Sequence, residues 1–395
     1  MNKNILNTDI QIFINENLNT DISSLLLKKV SFEGVSLKEV VWQIEAKKKC
    51  KKKLSIWYNT PKIYFPNKLN IEQTSSQITA RYKSNLVDGK TLVDITGGFG
   101  IDSYFFSKKI NKVTHCEIDE NLSAIVQYNN KILNVKNIET VPENGLRFLK
   151  ESNLFYDWIY IDPSRRNDIK GKVFRLEDCL PQVPENLDFL FEHSNNILIK
   201  TSPLLDLSIG TRELKFVKQI HIIAVNNDVK EELWVLDKNY KGDIEIITVN
   251  LKKDEDEKFS FYLTEEKNAC AEYTLPKSFL YEPNSAILKS GAFNLISKKL
   301  NIGKLHQHSH LYTSEVFTSN FPGRSFKIIQ VLPYQKKILK ENFKITKANI
   351  TTRNFPENVA GIRKKLKIKE GGDIYLFFTT LMNEEKSIII CNKIH

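Results

Sequence analysis

The stretch Thr91–Ser103, TLVDITGGFGIDS, constrains this chain more than any other. Leu92, Val93 and Ile95 form a short β-rich apolar run, Gly97, Gly98 and Gly100 follow, and a helical pattern opens near Asp102. A buried strand, a glycine turn and a helix start set so close together leave few folds open. Glycine lets the backbone turn sharply and lets a ligand approach where a Cβ would obstruct it. Turns of this kind cradle more than one class of nucleotide-bearing ligand, and a plain strand-to-helix turn is the bland alternative.

From Thr91 to about Leu251, β-rich runs alternate with helical stretches. Strands are expected at Leu92–Ile95, Val113–Ile118, Ile138–Val141, Trp158–Ile161, Ile197–Ile199, His221–Val225 and Leu233–Leu236. Helices are expected between them at Ser103–Lys109, Asn121–Leu133, Leu146–Lys150 and Pro184–His193. Repeated strand–helix units predict an α/β fold with a parallel sheet covered on both faces. In such sheets ligands sit beyond the carboxyl ends of the strands.

Four polar sites fall at successive expected strand ends. Asp94, Gly98 and Gly100 have the spacing D-x-x-x-G-x-G, and Glu117 ends the second strand, seventeen residues beyond Gly100. A carboxylate there can accept hydrogen bonds from both hydroxyls of a ribose. Glu143 and Asn144 follow the third strand, where an acid or amide can meet an adenine amino group. Asp162-Pro163-Ser164-Arg165-Arg166 follows the fourth. Together these sites describe an adenosine-bearing ligand lying across the strand tips.

On these residues the chain resembles class I S-adenosylmethionine-dependent methyltransferases over about Glu72–Leu236. The version DITGGFGID, with Thr96 where many members carry glycine, is similar to a subset of bacterial RNA methyltransferases. The run LYEPNS at Leu280–Ser285 and the last α+β unit resemble bacterial proteins whose methyltransferase domain precedes ferredoxin-like and THUMP-like domains. The resemblance implies a Rossmann-like sheet at 81–252, an N-terminal helical region at 1–80, a ferredoxin-like domain at 275–320 and a THUMP-like domain at 321–395. It implies S-adenosylmethionine as cofactor, with Asp94, Gly98 and Gly100 at its methionine end, Glu117 at the ribose and Asn144 near the adenine, and with Thr96, Asp102 and Asp162 also at the cofactor. It also implies an RNA substrate, a structured rRNA or tRNA. A dinucleotide dehydrogenase shares the glycine turn and ribose acid but prefers G-x-G-x-x-G, and Ser103 stands where its third glycine belongs.

Methyl transfer from a sulfonium needs mainly in-line positioning of a nucleophile and removal of a proton. Amino-methylating enzymes commonly carry Asp/Asn-Pro-Pro followed by an aromatic ring that stacks on the flipped base. Here Asp162 and Pro163 are present, but Ser164 replaces the second proline and Arg165 the aromatic residue. Asp162, with Pro163, is the expected catalytic element, orienting an exocyclic amine or accepting its proton, and Asp162 also borders the cofactor. Arg165, Arg166 and Lys200 are the expected substrate contacts near the pocket. The departure at Ser164 keeps a second reading open, a non-catalytic RNA-binding protein on a methyltransferase scaffold.

The N-terminal part reads as helices at Asp9–Asn17, Asp21–Lys29 and Ser36–Lys53, the last opened by a Ser36/Glu39 capping box. That helix ends in six lysines among Lys47–Lys53. One or two answer the helix dipole, and Lys48 and Lys52 are expected to face RNA phosphates. The formal net charge of +11 agrees with a polyanion partner. Glu72–Tyr82 reads as a further helix whose Thr74, Ser75 and Ser76 either face the ligand or give ordinary polarity. Five scattered cysteines without a C-x-x-C pair fit a reducing cytoplasm. No leader is expected from MNKNILNTDIQIF, and no apolar run approaches the roughly 18 residues that span a bilayer.

Beyond Leu275 the expectations are a helix at Ala286–Leu300, a strand around His306–Tyr312 and small α+β units from Ser325 onward. On a strand His306, His308 and His310 would share one face, yet without an acid or cysteine at suitable spacing no metal is expected. Arg353, Arg363, Lys364, Lys365 and Lys367 give the last unit a basic face.

Overall fold

The computed structural model describes residues 1–27, 30–165 and 175–394. The chain forms two compact units, Met1–Val217 with Leu233–Lys241, and Lys218–Glu232 with Gly242–His395.

In the first unit the strands are β1 (Thr91–Asp94), β2 (Lys112–Cys116), β3 (Ile138–Val141) and β4 (Tyr156–Ile161). A two-residue hairpin, β5 (Ser164–Arg165) with β6 (Cys179–Leu180), comes next, and then β7 (Ser194–Thr201). The main strands lie side by side in the order β7, β4, β1, β2, β3, all parallel. Leu92 and Val93 are both fully buried. A strand covered on both faces reads as a continuous apolar run, not an alternating one.

The helices of this unit are α1 (Thr8–Glu16), α2 (Ile22–Leu26), α3 (Leu37–Lys53), α4 (Ser55–Asn59), α5 (Lys68–Gln73) and α6 (Gln77–Ser84) before the sheet. Along the sheet run α7 (Ile101–Phe106), α8 (Glu120–Ile132), α9 (Gly145–Ser152), α10 (Val183–His193) and α11 (Leu207–Glu213). The helices before the sheet share one apolar core with α7 and α8, joining Ile44, Trp57 and Ile71 to Phe105, Ile125 and Val126. Trp57 packs edge-on against Tyr104, ring centroids 4.8 Å apart. The segment between α4 and α5 has no ladder to satisfy its backbone. Two side-chain amides do so instead. Asn129 bonds both Tyr64 N and Tyr64 O (2.9 and 2.8 Å), and Gln43 bonds both Phe65 N and Phe65 O (3.0 and 2.6 Å).

The capping box is present, with Glu39 N donating to Ser36 Oγ at 3.3 Å and Ser36 N to Glu39 Oε2 at 2.9 Å. The helix expected at Glu72–Tyr82 is two helices, because the chain breaks at Thr74–Ser76, where Ser76 caps α6.

In the second unit β10 (Glu245–Leu251) pairs in parallel with β8 (Val217–Val225) and antiparallel with β11 (Glu257–Tyr262). The chain reaches β10 from β8 through β9 (Asp228–Asp237), and α12 (Leu263–Lys267) follows β11. A separate sheet contains β12 (Phe279–Pro283), β13 (Gly303–Lys304), β14 (Tyr312–Ser314), β15 (Gly323–Pro333), β16 (Asn349–Arg353), β17 (Ile374–Thr380) and β18 (Lys386–Lys393). Its order is β13-β14-β12-β15-β18-β17-β16. Alternate residues of β17 enter different cores, Phe377 with Phe326 and Ile389, Leu376 and Phe378 with Ile362 and Ile388.

Two expectations fail in this unit. The helix at Ala286–Leu300 is split into α13 (Ser285–Ser290) and α14 (Leu295–Leu300) by Gly291, whose φ of +77° ends the first helix. The strand around His306–Tyr312 is a turn as far as His310, which itself has φ +52°. The three imidazoles therefore share no strand face, although the rings of His306 and His308 lie in contact with centroids 5.6 Å apart. His306 Nε2 lies 3.1 Å from Glu384 Oε1, whereas His310 stacks on Phe293 with centroids 3.6 Å apart. Among the described residues no group of three or more His, Cys, Asp or Glu side chains could hold a metal ion, and no helix is long and apolar enough to cross a membrane.

Candidate active site at the strand tips

The chain leaves β1 toward β2 and β3 on one side and returns to β4 on the other. The switch point of the sheet therefore lies between β1 and β4, where α/β folds open a crevice. Asp94 ends β1, and Thr96–Gly100 forms the turn above it. The glycines of that turn differ in what they do. A Cβ on Gly97 would lie 2.3 Å from His115 Nε2, so this glycine makes room for the imidazole beneath the turn. Gly98 has φ +55°, and a Cβ there would meet nothing nearer than Thr96 O at 4.0 Å. Its missing side chain leaves open space. Burial pushes the His115 pKa down to about 4, so the ring under the turn is neutral at ordinary pH.

Asp94 is buried, with Oδ1 accepting from Thr96 N at 3.1 Å and Oδ2 from Ser103 Oγ at 2.6 Å. Burial, opposed by these two bonds and reinforced by the nearby Asp102 and Asp162, raises its pKa to about 7. The native state then binds one more proton than the unfolded chain between pH 3.8 and about 7. This group's contribution to stability therefore falls as pH rises across that window and levels off above it. Asp94→Asn is expected to remove that part of the pH slope, measured as the wild-type minus variant difference in urea midpoint between pH 5 and 8. An identical slope in the variant refutes the assignment.

Thr96 has a specific task. Its Oγ1 accepts from Asp162 N at 2.7 Å, tying the glycine turn to the segment that leaves β4. Asp102, expected at the cofactor, is taken up inside the protein. Ser75 Oγ and Tyr160 OH donate to its Oδ2 at 2.7 and 2.8 Å, and the fully buried Lys83 lies 3.1 Å from Oδ1. Burial works against its charge, but Lys83 with Lys200, Ser75 and Tyr160 holds its pKa below the usual value. Ser75 is thus spent on Asp102, and Ser76 on the α6 cap.

Glu117 follows β2 half-buried, with Oε2 accepting from Gly98 N at 2.7 Å and Oε1 from Asp119 N at 2.8 Å. Each oxygen keeps a further lone pair. The next residue, Ile118, is 70% exposed, an apolar side chain standing at a strand tip. Asn144 is exposed and its Oδ1 caps α9 through Arg147 N at 3.1 Å, which leaves its amide NH₂ for other contacts. Glu143 pairs with Arg147 at 3.0 Å.

Asp162 is half-buried at the end of β4, Pro163 is buried, and Lys200 on β7 forms an ion pair with Asp162 Oδ2. Arg165 lies in the β5–β6 hairpin opposite Cys179. Arg166, Lys170 and Lys172 lie outside the described residues. In α3, Lys47 is buried against Asn15 Oδ1 at 2.7 Å, Lys49 pairs with Glu72, and Lys53 donates to the carbonyls of Ile71 and Glu72. Lys48, Lys51 and Lys52 are exposed. The sequence reading passed over Lys83, Tyr160, His115 and Ile118. Lys83 carried one signal, since it lies four residues after the buried Thr79 on the inward face of α6.

A crystal structure of a protein from Porphyromonas gingivalis W83 that carries a methyltransferase assignment superimposes with a TM-score of 0.88. It is 30% identical, over 98% of each chain. The chain belongs to this methyltransferase family. Residues 279–322 match a ferredoxin-like domain model and residues 323–393 a THUMP domain-like model. An uncharacterised RNA methyltransferase of Mycoplasma mobile is 25% identical over 93 residues, which cover 22% of this chain and only 25% of that relative's length.

In this methyltransferase the LYEPNS run belongs to the ferredoxin-like segment and is a hub of polar contacts. Buried Glu282 pairs with Arg324 and, at 2.8 Å, with Arg353, both from the THUMP-like segment. Asn284 caps α13 with Oδ1 and donates to Glu257 Oε2 at 3.0 Å. The expected basic face is thereby reduced. Arg353 is engaged by Glu282, Arg363 donates to Ala348 O at 3.2 Å, and Lys365 pairs with Glu357 at 2.9 Å.

Proposed function

We propose that the protein is an S-adenosylmethionine-dependent RNA methyltransferase in which Asp162 orients the acceptor. The observation that carries this is the convergence of Asp94, Gly98, Glu117 and Asp162 on neighbouring strand tips around the switch point. The residues suit the cofactor. Gly98 offers a cradle that a Cβ would fill, Glu117 keeps lone pairs for two ribose hydroxyls, and Ile118 offers an apolar platform for a purine face. Asp94 supplies a carboxylate for the cationic methionine end, and the amide of Asn144 is free to meet the adenine edge. When bound, the cofactor supplies an activated methyl group, so the protein's part is to hold the acceptor in line and accept its proton.

RNA is the substrate class supported by the THUMP domain-like segment and by the name of the Mycoplasma relative. Exposed Lys48 and Lys52, with Arg165 and Arg166, suit the backbone of a structured rRNA or tRNA. Incubation with labelled S-adenosylmethionine and total RNA from a strain lacking the gene is expected to label RNA. Asp162→Ala is expected to lower that transfer by about 10²-fold or more. Equal transfer by the variant removes Asp162 from the reaction. Cofactor binding without label in any RNA favours a binding scaffold over an enzyme.

A further inference from the structure

The ion pair between Lys200 and Asp162 limits which acceptor the site can serve, a point that rests on the methyltransferase reading above. Lys200 comes from the tip of β7 and Asp162 from the tip of the adjacent β4, both partly exposed, with side chains 14% and 32% accessible. One oxygen of Asp162, Oδ2, is taken by the lysine. Its main-chain N–H is taken by Thr96 Oγ1 at 2.7 Å. The other oxygen, Oδ1, has no hydrogen bond among the described residues, and the Lys200 ammonium beside it is a donor only.

An exocyclic amine fits this pair poorly. It presents two N–H donors and needs two acceptors, while its lone pair attacks the methyl carbon. Beside Asp162 it meets a cationic donor that repels its own N–H groups and to which its delocalised lone pair accepts poorly. The residues after Pro163 are Ser164 and Arg165, so no aromatic ring follows the proline to hold a flipped base.

A hydroxyl fits by count. It has one O–H and two lone pairs. The O–H donates to Asp162 Oδ1, one lone pair accepts from Lys200 Nζ, and the other is left to attack. We propose that Lys200 and Asp162 together select a hydroxyl acceptor, in RNA the ribose 2′-OH, and that Lys200 is a catalytic residue contacting that oxygen.

The step balances with a methylsulfonium donor as the second reactant. The oxygen lone pair forms the O–CH₃ bond, the CH₃–S bond breaks with its electron pair kept by sulfur, and the proton passes from oxygen to Asp162 Oδ1 and on to solvent. The proton grows more acidic as the O–C bond forms, and the carboxylate is placed to accept it. Lys200 lies beside that carboxylate as its counter-ion.

The test is nuclease digestion of enzymatically labelled RNA followed by mass spectrometry of the nucleosides, with calorimetric cofactor binding measured in parallel. The expected result is a 2′-O-methyl nucleoside and an alkali-resistant dinucleotide carrying the label. Lys200→Met is expected to lower kcat by about 10²-fold and leave cofactor affinity within a few-fold. Lys200→Arg, which keeps a charged donor, is expected to recover at least part of that loss at equal folded protein. Label on a base atom, with the cofactor bound normally, overturns the hydroxyl assignment and leaves the methyltransferase reading standing. Full activity in Lys200→Met overturns it as well. Failure of the wild-type protein to bind the cofactor overturns both.

Discussion

Asp102→Ala is expected to destabilise the first unit by about 3–5 kcal/mol, the cost of removing one partner from a buried ion pair. Lys83 has no exposed side-chain surface, and its Nζ lies 3.1 Å from Asp102 Oδ1. Without that carboxylate an ammonium is left in the interior, and the hydroxyls of Ser75 and Tyr160 lose their shared acceptor as well. The pair joins α6 to α7 and, through Tyr160, to β4, so the damage falls on the frame of the site. Since a chain of two compact units need not unfold in one step, amide hydrogen exchange in β1 and β4 is the appropriate readout. Replacing both partners, Lys83→Met with Asp102→Leu, is expected to restore most of the loss, because a hydrophobic pair avoids the desolvation of two charges. Unchanged protection in Asp102→Ala refutes a structural role for the pair.

The strand tips were legible because parallel strands covered on both faces read as apolar runs, and the first polar residue after each run marks its tip. Asp94, Glu117, Glu143 with Asn144, and Asp162 were placed in this way at or beside the ends of such runs. Lys200 was found too, but its pairing with Asp162 was not, since nothing local to either segment says that β4 and β7 are neighbours. The Lys83–Asp102 pair was illegible for the same reason, its partners lying on different helices. The failed strand at His306–Tyr312 has another cause. Alternating histidines imitate a period of two, while the positive φ of His310 and the turn before it obey contacts with Phe293 and Glu384. At Ala286–Leu300 the signal was present, an isolated glycine inside a helical pattern. Strand β10 was also within reach, since EIITVNL is rich in β-branched residues.

Gly97→Ala and Gly98→Ala are expected to lose binding for different reasons, although the two residues are adjacent in one motif. At position 97 a methyl group would lie 2.3 Å from His115 Nε2 and 2.5 Å from Cε1. The ring is fully enclosed and cannot withdraw, so the turn itself must move, an overpacking cost of about 1–3 kcal/mol. At position 98 the backbone has φ +55° and the methyl would meet no protein atom within 4.0 Å. There the fold bears only the strain of a left-handed alanine, about 1–2 kcal/mol. The methyl would instead stand in the open space where the cofactor is proposed to lie, beside the N–H that Glu117 holds at 2.7 Å. Gly98→Ala is therefore expected to remain folded and lose measurable S-adenosylmethionine binding. In Gly97→Ala both stability and binding should fall, with binding partly recovered by His115→Ala, which empties the space beneath the turn. Calorimetry and thermal unfolding on the three variants separate the outcomes. Wild-type affinity in Gly98→Ala removes this glycine from the binding site. Normal stability in Gly97→Ala would show that the turn can yield without loss, and that His115 does not set its shape.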